Sequence, residues 1–286
     1  MLGYEINYLS EIEPQYKTHI RQICVPFNFT ESAYAGLKYA AIFANMVKAD
    51  ITLLNCFQSS SLEFGSTSKD VDYTTTTYER KEEILEEVPE LKTLNVSFLV
   101  EHDFFTQTLQ KLSKEKKVDM IIMGSHISIS ADRQKILGTN ASSLISFVNV
   151  PLLIVPDDNA TTKLDNMMFA VDYKEFEDLE SIETLKTIAN IFDTTVHIVH
   201  VTNRDLNPYQ IAIENKLKEI FDGIEHKFYQ YNYPDVHNGL KDFTQLQSID
   251  LMAMTPRKHG FIESLYKPSE TKKMALYTKL PLLVIH

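Results

Sequence analysis

Val118-Asp119-Met120-Ile121-Ile122-Met123, followed further on by Val150-Pro151-Leu152-Leu153-Ile154-Val155, returns in altered form as Ile249-Asp250-Leu251-Met252-Ala253-Met254 and Leu280-Pro281-Leu282-Leu283-Val284-Ile285. The offset is 131 residues between the two aspartates and 130 between the two prolines. Two ordered motifs at a nearly fixed offset mark an internal repeat. The earlier parts of each copy correspond too. Residues 23–28 align with 167–172 at an offset of 144, and 49–54 with 194–199 at 145. The fall in offset gives the first copy about 14 extra residues, which fit the Ser/Thr-rich stretch 59–77. Such a stretch reads as a polar loop.

Working outward, each copy is a series of short apolar runs separated by helical patterns. That alternation implies a parallel sheet with helices on both faces. Strands are expected near 21–27, 50–57, 95–101, 118–123 and 151–155, and again near 166–171, 195–201, 225–231, 249–254 and 281–285. The stripe Tyr34, Leu37, Ala41, Ala44, Val47 has helical spacing, and Leu179, Ile182, Leu185, Ile188, Phe192 is its counterpart. Thr30 is placed to cap the first of these helices. Further helices are expected near 78–93, with a solvated acidic face of Glu82, Glu83, Glu86 and Glu87, and near 139–149 and 269–279. The fold class is therefore α/β: two tandem copies of a five-stranded, doubly wound parallel-sheet domain of Rossmann-like type. The domains fall at 19–157 and 163–286, after an N-terminal extension at 1–18 and across the short polar linker 157–162.

Bulk composition narrows the function classes. The chain has 286 residues, is 44% hydrophobic and carries a net charge of -11. The halves 1–156 and 157–286 contribute -5 and -6. Neither half is basic, which argues against nucleic acid or an anionic membrane surface as partner. No apolar run approaches the length of a membrane span. The first residues lack a basic cluster followed by an apolar run, so no secretory signal is expected and the protein reads as cytoplasmic. The two cysteines, Cys24 and Cys56, give neither a disulfide framework nor metal-ligand spacing and read as buried free thiols. His197 and His200 stand three apart on one strand and face opposite sides of it, so no metal site is expected there.

In an open parallel sheet, ligands bind beyond the carboxyl ends of the strands where the strand order reverses. That switch point should lie between the first and fourth strands. The residues after those strands are then the candidates: Pro26 and Asn28 in one loop, Met123, Gly124 and His126 in the other, and Gly138, Thr139 and Asn140 opening the last helix. A helix N-terminus offers free N–H groups and partial positive charge, and a glycine there lets an anion approach. Gly124 is expected to leave room for a ribose or phosphate against the sheet.

These pieces together resemble the universal stress protein family. The resemblance rests on Val25-Pro26 with Asn28-Phe29-Thr30-Glu31-Ser32 before an Ala-rich helix. It rests equally on Asp119 through Gly124, then Gly138-Thr139, then Pro151-Leu152-Leu153-Ile154-Val155. It spans both copies beyond the first 18 or so residues. The resemblance implies a five-stranded parallel sheet, a stress-response role without catalysis, and the two copies paired through their last strands as a pseudo-dimer, with further homo-oligomers open. Some members bind ATP through Gly, two residues, Gly, nine residues, then Gly-Ser/Thr.

This chain departs from that pattern. In the first copy Ile127 stands at the second glycine, ten residues precede Gly138-Thr139, and Asn28 replaces the usual aspartate. The second copy keeps the nine-residue spacing and Asp172 but loses the glycines: Thr255, Lys258 and Pro268-Ser269 stand there. Pro268 has no N–H to donate. Asp172, Arg257, Lys258 and Ser269 form a candidate anion site instead, alongside a solvated basic face as the plainer account. Two ligand states follow. In one, the first copy binds ATP or another adenine nucleotide. In the other, neither does, and the protein works by association or through another small ligand. A weak ATPase of the adenine-nucleotide-hydrolase-like group is a third option. It lacks the glycine-rich loop such enzymes carry after the first strand, and no catalytic residue is indicated.

Overall fold

The computed structural model describes residues 20–56, 79–125, 128–129, 135–136, 144–145, 147–157, 163–173, 180–255 and 280–286. The N-terminal extension, the 59–77 loop, most of the linker and the last helix of the second copy lie outside the described residues, as does most of the helix expected at 139–149.

The first half contributes β1 (Gln22–Pro26), β2 (Asp50–Cys56), β3 (Val96–Glu101), β4 (Met120–Ser125) and β7 (Leu152–Pro156). The second contributes β8 (Asn166–Ala170), β9 (Thr195–Thr202), β10 (His226–Asn232), β11 (Leu251–Met254) and β12 (Leu282–Val284). Every expected strand is present to within two residues. The spatial order is β3-β2-β1-β4-β7 in one half and β10-β9-β8-β11-β12 in the other. All ladders within a half are parallel. The order reverses between β1 and β4, and again between β8 and β11, which puts both switch points where the repeat implies.

Strands buried on both faces read as unbroken apolar runs. Leu152 through Pro156 are all buried, for example. One face is covered by α1 (Glu31–Val47), α2 (Lys81–Glu87), α4 (Glu180–Phe192) and α5 (Pro208–Ile220). The other face is covered by α3 (Phe105–Lys114) and α6 (Val236–Leu246). Thr30 caps α1, its hydroxyl accepting from the Ala33 N–H. The expected 78–93 helix is divided: α2 stops at Glu87 and a 3₁₀ turn runs Pro89–Thr93. Proline drives the preceding residue out of the α region, and Val88 sits at φ -130°, ψ 77°. The acidic residues Glu82, Glu83, Glu86 and Glu87 are exposed, as expected.

The repeated aspartates have one job in both halves. Asp119 Oδ2 accepts from the N–H groups of Arg21 and Gln22 at 2.8 and 2.9 Å. Asp250 Oδ2 accepts from Asp165 and Asn166, both at 2.9 Å. Each carboxylate ties the start of its fourth strand to the start of its first. Cys24 is a buried free thiol, whereas Cys56 is only half-buried. A short antiparallel hairpin, β5 (Ser128–Ile129) with β6 (Lys135–Ile136), interrupts the run between Gly124 and Gly138.

The two half-sheets meet at β7 and β12, the one antiparallel ladder in the ten-stranded sheet. Across this seam Phe43 of α1 and Phe192 of α4 stand 5.2 Å apart, ring to ring.

Candidate functional site

At the first switch point, β1 delivers Pro26 and Phe27 buried, then turns outward. Asn28 is exposed, and its Oδ1 accepts from the Thr30 hydroxyl at 2.7 Å and from the Thr30 N–H at 3.4 Å. Its side chain thus shapes the turn that opens α1. Phe29 holds φ at 61°, a left-handed conformation that bulky side chains resist. Its ring meets Phe27 edge-on at 5.0 Å, and the Arg80 guanidinium lies 4.0 Å above it. These contacts hold the strained turn in place.

The structure changes the reason for Gly124. A side chain there would put its Cβ 1.7 Å from the carbonyl oxygen of Ser32, and a Cβ at Gly36 would come 2.2 Å from the Gly124 nitrogen. The two glycines let the first turns of α1 lie against β4. The space on that side of Gly124 is filled by the helix, so it does not receive a ribose or phosphate. Met123 is buried in the opposite core. Beside Gly124, the Ser125 hydroxyl is buried with no hydrogen-bond partner among the described residues. His126, Gly138, Thr139 and Asn140 lie outside the described residues, so the structure brings together only Pro26, Asn28, Met123 and Gly124 of that set.

The second switch point is built differently. Gly124 corresponds to Thr255, and Gly36 to Glu180 or Ser181, so the glycine pair that packs α1 on β4 in the first half is missing. Here the carboxyl ends of β8, β9 and β11 surround a cavity of about 620 Å³. Asp172, following β8, lines it, as does Thr255 after β11. Arg257, Lys258 and Ser269, the other members of the expected anion site, lie outside the described residues.

Sequence reasoning missed His200 as a cavity residue. It is 5% exposed, lines the cavity, and stacks on Tyr173 at 4.4 Å. Its Nδ1 stands 3.0 Å from the Val171 carbonyl oxygen. A carbonyl only accepts, so Nδ1 is the donor in this contact. The ladder offsets place Asn55 of the first half at this position. A polar residue inside an apolar run on the second strand was the available signal. His197, as expected, lies on the opposite face, bonded to Tyr229 and Asn166. Burial pushes its pKa down. Among the described residues no cluster of three or more His, Cys, Asp or Glu could hold a metal ion.

A family model for the universal stress protein family matches residues 19–156. That segment belongs to the universal stress protein family. Solved structures carry the likeness over the whole chain as fold. A universal stress protein from Archaeoglobus fulgidus is 18% identical with a TM-score of 0.70, covering 94% of this chain and 99% of its own. A putative universal stress protein from Pseudomonas aeruginosa is 16% identical with a TM-score of 0.61, covering 93% of each chain. No curated protein matches. Within that half α1 packs directly on Gly124 of β4, and the half carrying the cavity shares its strand order. Among the described residues, no helix is long and apolar enough to cross a membrane.

Proposed function

We propose that the chain is a tandem universal stress protein that acts by binding an adenine-containing ligand rather than by turning one over. Its two domains, 19–157 and 163–286, serve as one built-in dimer joined at β7 and β12. The cavity of about 620 Å³ at the second switch point carries this proposal. It falls in the range of about 300–1,000 Å³ typical of small-molecule sites, and it opens where doubly wound sheets bind ligands. Asp172 lines it, and an ionised carboxylate accepts from ligand hydroxyl or amino groups. The first domain offers a second nucleotide site through Pro26, Asn28, Met123, His126, Gly138, Thr139 and Asn140. Arg257, Lys258 and Ser269 would add anion binding in the second. Two free cysteines fit a reducing, cytoplasmic setting.

The test is direct. Freshly purified protein is denatured and the released small molecules are identified by mass spectrometry, then ATP, ADP and AMP are titrated calorimetrically. Adenine compounds at near one per chain support the proposal. Released compounds of other kinds only, with no heat on titration, overturn it. The remaining account would be work through association, which the helix-filled space at Gly124 favours for the first domain. Release of ADP and phosphate with turnover would instead point to the ATPase.

A further inference from the structure

β10 ends the ten-stranded sheet, with only β9 beside it among the described residues. The two pair residue for residue from His226 to Asn232, without a proline or a bulge. The Glu225 carbonyl accepts from Val196 and the Tyr233 N–H donates to Thr202, so odd-numbered residues turn their backbone groups toward β9. Those of His226, Phe228, Gln230 and Asn232 turn outward, and no described residue bonds them. Such an edge invites another strand, and proteins commonly blunt it with charges, a proline or a bulge. β10 carries a single charged side chain of that kind, Lys227.

The helix above this edge adds an apolar contact to it. Phe243 of α6 packs on Tyr229 and Tyr231 at 4.8 and 5.5 Å. Gly239, Asp242 and Leu246 share the side of α6 that overlooks β10. A Cβ on Gly239 would meet Tyr233, and Asp242 accepts from the Tyr231 hydroxyl. α6 runs back along β10, since β10 and β11 point the same way. Four residues of helix rise about 6 Å and two residues of strand about 7 Å. Leu246 therefore stands level with Tyr229. It is 64% exposed, more than any other large apolar side chain among the described residues.

We propose that β10 pairs antiparallel with β10 of a second copy of this chain, about a two-fold axis at Tyr229. In this register Phe228 exchanges both backbone bonds with Gln230 of the second copy, and His226 does so with Asn232. Every outward-turned group of the strand is then used. Sliding by two residues either way leaves some unpaired, and an odd slip sets outward groups against inward ones. Tyr229 meets its own mate at a non-hydrogen-bonded position, where facing side chains come closest.

The same register answers the charge. Lys227 makes no ion pair with a described residue. It falls opposite Tyr231 of the second copy, whose hydroxyl is held by Asp242, so each lysine meets an aromatic ring backed by a carboxylate. Leu246 and its mate close over the axis, apolar on apolar. An interface of this kind is self-complementary and stops at two copies. The sheet then runs on between chains as it does within one across β7 and β12. None of this depends on whether either cleft holds a ligand.

The experiment is sedimentation velocity of the full chain over a range of concentrations, repeated on Leu246→Glu, Gln230→Pro and Lys227→Glu. All three positions are exposed, and proline is tolerated on an edge strand where the N–H faces outward. Circular dichroism melts should match the parent and confirm that each variant is folded. The parent is expected to dimerise. Each variant should weaken association about tenfold or more: by facing carboxylates at the axis, by a lost backbone donor, or by a carboxylate set beside Asp242. A monomer at every concentration overturns the proposal. So does mass that keeps growing with concentration, because β10 would then be adding to the opposite edge of the sheet in an open chain. A dimer that folded Leu246→Glu and Gln230→Pro leave at full strength uses another surface, and overturns it as well.

Discussion

Gly124 shows how one residue can be legible in the sequence while its reason is not. The sequence marks it as special because a glycine closes an otherwise apolar strand at the switch point. The ligand explanation and the packing explanation use the same letter, and only the position of α1 separates them. With the Ser32 carbonyl oxygen 1.7 Å from where a Cβ would sit, backbone blocks backbone and no rotamer can relieve the clash. Gly124→Ala should therefore lower stability by about 3 kcal/mol, at the high end of overpacking costs. Urea denaturation followed by circular dichroism measures this, and an unchanged midpoint would refute the close-packing account. Gly239→Ala is the control. Its Cβ would meet side chains, Val201 Cγ1 at 2.8 Å and Tyr233 Cβ at 2.9 Å, which can shift. A smaller loss is expected there. His200 was missed for a related reason. Strand periodicity told which face it takes, but not that a cavity lies beside it, because the cavity depends on how neighbouring helices pack.

Among the elements, the strands were readable nearly residue for residue, since apolar runs bounded by polar turns leave few alternatives. The helices that cover them were less so. α3, α5 and α6 are amphipathic, and part of each apolar face rests on small or polar residues such as Thr108, Gln210 and Gly239. The β5–β6 hairpin, two residues a side, is too short to leave a periodic signal. His197 ties three second-half strands together. It sits on β9, its Nε2 donates to Asn166 Oδ1 on β8 at 3.0 Å, and its Nδ1 lies 3.2 Å from the Tyr229 hydroxyl on β10. Burial lowers its pKa, with Lys227 adding to the effect. Burial also pushes His286, just beyond β12, down to about 4. Both imidazoles titrate near 6.5 when unfolded. Below that pH the unfolded chain binds more protons than the folded one, so stability is full above about pH 6.5 and falls on acidification. Urea midpoints should drop between about pH 7.5 and about pH 5.5. His197→Gln should be less stable at neutral pH yet show a shallower fall. An equally steep fall in the variant would show that this ring does not contribute.

At the scale of the whole molecule, the repeat offset and the ladder register say the same thing. Residues 152–154 and 282–284 are equivalent by an offset of 130. In the antiparallel ladder Leu153 faces Leu283, while Leu152 faces Val284 and Ile154 faces Leu282. Each equivalent pair is exchanged about the central one, so a local two-fold axis passes between Leu153 and Leu283. This is the self-complementary interface of a symmetric dimer, built within one chain. Both leucines are fully buried and belong to one core cluster that draws residues from both halves. Continuous burial across the seam predicts one cooperative unfolding transition for the described sheet, seen as a single peak in scanning calorimetry. Leu153→Asp and Leu283→Asp should each cost at least about 4 kcal/mol, since each places a carboxylate in the apolar core. Because the axis makes the two positions equivalent, their single effects should be close to equal. Both break the same ladder, so the double variant should lose much less than the two single losses combined. Additive losses, or two separate transitions in the parent protein, would mean that the halves are stable on their own and that the seam contributes little to holding them.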